Sequence, residues 1–304
     1  MEHREQVGMG WVRDAPDFRD ASHSQGPPTG VGLANGERDA PTLLGELGVS
    51  TPADQESLGS RVDLRGEFPP IEDQGSLGSC TANAGVGLVE YFERKASGNH
   101  IDASRLFLYK ATRNIIGWTG DTGAFLRTTM QAMVLFGAPP ESFWPYDIAR
   151  FDEEPSAFCY SFGQNYKTIQ YYRLDPEGTT REELAARIKT QLAAKLPPMF
   201  GFSVYSSYRQ SFDNDGLIPF PKSGERKVGG HAVVAVGYDA TKKIKNAIGG
   251  DPTTGAFLIR NSWGTGWGED GYGWLPFEYV HRGLAVDWWS LIKASWVDSQ
   301  NFGM

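Results

Sequence analysis

The chain has almost no cysteine: Cys80 and Cys159 are the only two among 304 residues. If one of them serves chemistry, no pair is left for a structural disulfide, so the fold must stand on its apolar core. That suits a reducing compartment without requiring one. Long apolar runs are missing too, and no stretch is suited to spanning a bilayer. Met1 to Asp20 carry charges throughout and hold no apolar segment of the secretory-signal kind. The expectation is a protein that is cytoplasmic as synthesised, with export by a leaderless route left open. A basic surplus is also lacking. The net charge of −8 gives no reason to expect nucleic acid or an anionic membrane as partner. Neither a metal nor a cofactor is expected.

What is present belongs to a globular protein, with 40% apolar and 12% aromatic residues. The length fits one large domain or two ordinary ones. Residues 1–58 read as a low-complexity arm. Its stretch Ser22-His23-Ser24-Gln25-Gly26-Pro27-Pro28-Thr29-Gly30 is unable to build a core of its own. The arm is either a tail or, as favoured here, a short propeptide, with Trp11, Val12, Pro16 and Phe18 as an apolar knot able to dock on the body.

Beyond the arm, apolar spacings of three and four predict a helix from Cys80 to about Ala96, stopped by Gly98. A second helix follows Ser104, and a third opens at Asp121 or Thr122 and ends at Gly137. A fourth starts at Thr180, with Glu183 at capping-box spacing. Short β-branched or aromatic runs then predict strands over 199–204, 231–238, 256–260, 272–275 and 284–291. Helices first and strands later suggest an α+β protein of two lobes. Residues 59–165 would form the mainly helical lobe and 166–304 the mainly β lobe.

One constellation carries chemistry. Cys80 closes the run Gln74-Gly75-Ser76-Leu77-Gly78-Ser79-Cys80 at the start of the first predicted helix. A thiol attacks as thiolate, and a helix N-terminus and a nearby imidazole both favour the anion. Among five histidines, His231 alone heads an apolar strand, behind Gly229 and Gly230. Asn261 closes a later strand and can orient the imidazole, and Trp263 can cover that hydrogen bond. Gln74 can donate to a developing oxyanion beside the Cys80 N–H, a contribution of about 3 kcal/mol to the barrier. Taken alone, His231 would be a structural residue, Gln74 a surface loop residue and Cys159 a small buried hydrophobe.

These residues resemble the papain family of cysteine proteases. The matching pieces are Val62-Asp63-Leu64-Arg65, the run from Gln74 to Cys80, Phe143-Trp144-Pro145-Tyr146, the run from Gly230 to Tyr238, and the run from Asn261 to Gly268. They keep family order from about Arg61 nearly to the C-terminus. The resemblance implies a papain-like two-lobe fold, with a helical N-terminal lobe, an antiparallel barrel-like β lobe and the site in the cleft between them. It implies Cys80 as nucleophile, His231 as base and acid, Asn261 as orienter and Gln74 as oxyanion donor. It further implies that Trp263 and Trp267 shield the leaving-group side, and that Gly123 and Ala124 form a wall for the substrate backbone. Phe125, Phe202 and Ala232 would lie near the pocket for the side chain two residues before the scissile bond. The substrate would be a peptide or protein, with the arm lying in the cleft as inhibitor.

Departures stand beside the matches. Leu77 replaces a cysteine of the family, Thr81 replaces an aromatic, and an insertion falls around 242–254, expected to be a longer hairpin. The arm lacks the long helical propeptide and, from Trp11 to Asp20, resembles the short leader of bacterial members. The leading expectation is an endopeptidase made as a zymogen. The alternatives are an inactive papain-like binding module, or an amidase or transglutaminase on the same triad.

Overall fold

The structure, a computed structural model, describes residues 7–26, 38–54, 56–166 and 170–304. His3 and the Pro- and Gly-rich residues 27–30 lie outside them.

The arm is more structured than its composition suggests. Asp39 caps helix α1 (Ala40–Glu46), its carboxylate accepting from the Thr42 N–H at 3.0 Å. Leu43 and Leu44 are fully buried in the common core. From residue 40 onward the arm is therefore part of the body, because three apolar side chains with Val49 found a surface to cover. The short strand β1 (Arg61–Asp63) then leads into the loop before Cys80.

Helix α2 (Cys80–Ser97) starts at the thiol and stops at Gly98, which takes the left-handed φ of 80° that an L side chain avoids. Every residue from Cys80 to Phe92 is buried, so α2 is the axle of the molecule. It packs on α3 (Arg105–Ile115) and α4 (Leu126–Leu135) on one side and on the sheet on the other. Ser104 caps α3 through the Phe107 N–H at 3.1 Å, as its sequence predicts. Helix α4 begins later than expected. Asp121 does not cap it, because its carboxylate accepts from the Gly78 N–H at 3.0 Å and from the Tyr109 hydroxyl at 2.6 Å. A further helix absent from the sequence reading, α5 (Ala157–Gly163), buries Cys159.

The later half carries the sheet. Strand β2 (Gln170–Arg173) precedes α6 (Arg181–Ala193), and Thr180 caps α6 by accepting the Glu183 N–H at 3.1 Å. The strands β3 (Met199–Tyr205), β4 (Lys227–Ile244), β5 (Thr253–Arg260), β6 (Tyr272–Pro276) and β7 (Ala285–Ile292) follow, with the short helix α7 (Glu278–His281) before β7 and α8 (Ala294–Val297) after it. All pairings are antiparallel, in the order β2-β7-β3-β4-β5-β6, with β1 added to β4. Residues 242–254 form the longer hairpin, with Lys243 opposite Thr254.

The expected barrel-like sheet is an open one. Its ends, β2 and β6, do not pair with each other. Each edge is covered by other chain instead: Ser22 bridges to Arg173 on β2, and Leu217 bridges to Trp274 on β6.

Candidate active site

The loop before α2 is tied down at four points. Asp73 accepts the Gly75 N–H at 2.8 Å, and Asp121 holds the Gly78 N–H. The Gln74 N–H donates to the Ser262 carbonyl at 2.8 Å, and the Tyr146 hydroxyl donates to the Gln74 carbonyl at 3.1 Å. Gly75 turns the chain at φ 60°. Cys80 is thereby fixed at the head of an 18-residue helix, fully buried.

His231 lies on β4 and Asn261 just past the end of β5, so strand pairing brings residues 30 apart in sequence together. Imidazole Nε2 lies 2.7 Å from Asn261 Oδ1. That same oxygen accepts the Ser262 N–H at 2.8 Å, so it is the amide oxygen, and Nε2 is the donor. The neutral ring therefore carries its proton on Nε2 and leaves the Nδ1 lone pair free. Nδ1 is buried with no hydrogen-bond partner among the described residues. Trp263 stacks on the ring, centroids 4.6 Å apart, and Trp267 meets Trp263 edge-on at 5.4 Å.

The first part of the arm runs through this site. The Gly8 N–H donates to the Gly75 carbonyl at 2.9 Å, and the Gly8 carbonyl accepts from Gln74 Nε2 at 3.1 Å. Gln74 Nε2 also donates to Leu77 O at 2.7 Å. Trp11 and Ala124 form a parallel bridge: the Ala124 N–H donates to Gly10 O at 2.8 Å, and the Val12 N–H to Ala124 O at 3.0 Å. A side chain at Gly123 would strike the Gly10 carbonyl, its Cβ falling 2.1 Å from that oxygen. The Trp11 N–H donates to Gly230 O at 3.2 Å.

Burial decides the ionisation of the pair. The Cys80 thiol is pushed up to about 11, chiefly by desolvation, although the N–H groups of Ala232, Gly10, Thr81 and Cys80 itself pull the other way. The helix N-terminus does not outweigh that burial. Burial also lowers His231 to about 4, against the hydrogen bond to Asn261. Under the arm, both groups are uncharged at neutral pH.

Of the residues singled out in the sequence, Gln74, Cys80, Ala232, Asn261, Trp263 and Trp267 gather around His231 or the thiol. Gly123 and Ala124 border the arm. Ala232 sits opposite Gly201 on β3, on the face that receives the Trp11 ring. Phe202 is on the other face of β3, edge-on to His231 at 5.9 Å and to Tyr279 at 6.0 Å. Phe125 is half-exposed against Trp118. Sequence reading gave Asp121 to a helix start and passed over Asp287. The second had a signal: it is an acid in Ala285-Val286-Asp287-Trp288-Trp289, an otherwise apolar strand.

Residues 58–283 match the family model of the papain family cysteine proteases. The chain belongs to the papain family. It is accordingly a cysteine-type peptidase acting on peptides or proteins. An uncharacterised peptidase C1-like protein of Acanthamoeba polyphaga mimivirus is 36% identical over 222 residues, covering 71% of this chain and 68% of that protein. Cathepsin K of Gallus gallus is 30% identical, covering 68% of this chain and 55% of the relative. Among solved structures, xylellain, a cysteine protease from Xylella fastidiosa, superposes with a TM-score of 0.69 at 32% identity, covering 97% of this chain and 99% of that one. The papain-like arrangement of helices and antiparallel sheet follows.

Proposed function

We propose that this papain-family peptidase is an endopeptidase that uses Cys80 and His231, and that its own N-terminal arm holds it inactive. The observation that carries the chemistry is an imidazole clamped at Nε2 by Asn261 and bare at Nδ1, in the same buried site as a thiol at a helix head.

In this reading the thiol proton passes to Nδ1, and the thiolate attacks the scissile carbonyl carbon. Gln74 Nε2 and the Cys80 N–H hold the oxyanion that forms. His231 then gives its proton to the leaving amine as the C–N bond breaks. A water, deprotonated by His231, hydrolyses the thioester and restores the thiol. Asn261 keeps the ring in one tautomer, and Trp263 and Trp267 keep water from that hydrogen bond. Gly123 and Ala124 pair with the substrate backbone. The cleft lies between the lobes 59–165 and 166–304.

The arm occupies the oxyanion donor, the backbone wall and the thiol. Gly8 O occupies the Gln74 amide, and Ala124 already pairs with Gly10 and Val12. What faces the thiol is the Gly10 N–H. A peptide N–H offers no carbon to attack, so the arm can lie over Cys80 uncut. The part that has to leave is 7–26, since α1 is built into the core. Its departure uncovers the thiol and removes that cause of its shift.

The test is the Cys80→Ala chain. Peptide hydrolysis and labelling by a thiol-directed epoxide should both vanish, and hydrolysis persisting at the wild-type rate would refute the assignment.

A further inference from the structure

Trp11 enters the cleft as a side chain enters a specificity pocket. Its ring lies over Gly201 and Gly230, where an added Cβ would meet ring atoms at 1.9 Å and 2.8 Å. Those two glycines, on the neighbouring strands β3 and β4, make the space for a large flat side chain. At the far end of the ring, indole Nε1 donates to Asp287 Oδ2 at 3.0 Å.

Asp287 is fully buried and sits at φ 64°, a backbone conformation that a non-glycine residue seldom adopts. Its two oxygens have different duties. Oδ1 accepts from Trp289 Nε1 at 2.7 Å and lies 3.4 Å from an Arg173 nitrogen. Oδ2 takes its hydrogen bond from Trp11, and no other described residue supplies one. When the arm leaves, a buried carboxylate oxygen is left at the pocket floor with no donor.

We propose that Asp287 determines specificity in this pocket, selecting a substrate side chain that is large, flat and neutral with an N–H donor at its far end: tryptophan, in preference to phenylalanine or arginine. The inference rests on the reading that the arm occupies the substrate cleft. Hydrocarbon rings fill the space but leave Oδ2 unpaired. A pocket built around a hydrogen bond rejects the analogue that lacks it.

Charge argues against arginine. Asp14 and Asp20 leave with the arm, which takes from Arg127 both of its carboxylates and from Arg173 one. The floor then holds Arg127 and Arg173, both over the Trp289 ring, against Asp175 and Asp287. Two cations already face two anions, and a third guanidinium would meet Arg127, stripped of its carboxylates, and Arg173, held by Asp175 and Asp287.

The experiment uses the full chain carrying Trp11→Ala, so that the pocket is vacated. Peptides differing only by Trp, Tyr, Phe, Leu or Arg, placed in turn at each of the three residues before the scissile bond, are compared by kcat/KM. The expected result is a preference for Trp over Phe and over Arg of at least about tenfold at one position. Asp287→Leu should reverse the Trp–Phe order, and Asp287→Asn, nearly isosteric and able to fold where Leu is not, should cut the Trp preference severalfold. Equal rates for Trp and Phe, a preference for Arg, or a Trp preference undiminished in Asp287→Asn would overturn the proposal. Epoxide labelling of Cys80 separates the two levels. A Trp11→Ala chain that labels no faster than wild type refutes the arm in the cleft, and with it this inference. One that labels fast but ignores the peptide series refutes Asp287 alone.

Discussion

Replacing Trp11 with alanine should open the enzyme. In the docked arm Trp11 is 7% exposed, whereas in a released arm it is in water. An aromatic of this kind buries about 150–250 Å², worth about 4–6 kcal/mol at ~25 cal/mol per Å². Alanine keeps only a methyl, and truncating a buried tryptophan costs about 3–5 kcal/mol. At about 1.4 kcal/mol per tenfold, docking weakens by roughly two to three and a half powers of ten. The loss is capped by the total docking energy, because a fully detached arm cannot detach further. The assay is the second-order rate of Cys80 labelling by a thiol-directed epoxide in the full-length chain, with Cys80→Ala as blank. If labelling passes through the open state, the rate rises with the open fraction until that fraction saturates. A variant that melts like wild type and labels within about threefold of the wild-type rate would refute the account of the arm.

Asn261→Ala should lower kcat on the order of 10²-fold or more with KM little changed, because the ring loses the acceptor that sets its tautomer; a kcat within twofold of wild type would remove Asn261 from the mechanism. A pH dependence follows from His23, whose imidazole burial, and then the neighbouring Arg187, hold below the usual 6.5, against Glu183. The docked arm binds fewer protons than the free arm, so docking is at full strength above that value and weakens as pH falls through it toward the docked pKa. Limited proteolysis of the arm in the Cys80→Ala chain should quicken on acidification from about pH 7.5 to 5.5, and His23→Gln should flatten that profile; a flat profile in the parent chain would contradict it. Leu43→Ala should destabilise the body by about 2–5 kcal/mol in denaturant, since that side chain is fully buried in α1. Wild-type stability in that variant would mean that α1 belongs to the removable part.

Much of the proposed site was legible because its parts are local. The run ending at Cys80, the glycines before His231, the cap at Ser104 and the stop at Gly98 each act within a few residues of themselves. Misplaced features were those in which a distant partner won. Asp121 looked like a helix cap in its own neighbourhood, yet the Gly78 N–H, 43 residues away, claimed it and moved the start of α4. Helix α1 looked like low-complexity arm, because the surface its leucines cover is not written beside them.

The sequence by itself determined the family and the parts of the proposed chemistry: a thiol at a helix start, an imidazole on a strand, a carboxamide beyond another strand, and no cysteine pair left over to staple the fold. These are residue types at short spacing, where backbone geometry leaves few choices. Only the tertiary structure decided the state of that chemistry. It laid Gly10 over the thiol, Gly8 on Gln74, and Trp11 against an aspartate 276 residues away. Burial then drove the Cys80 and His231 pKa values apart and left both groups neutral. Desolvation depends on what covers a group: for the imidazole Trp263, and for the thiol Gly10 from the far end of the chain.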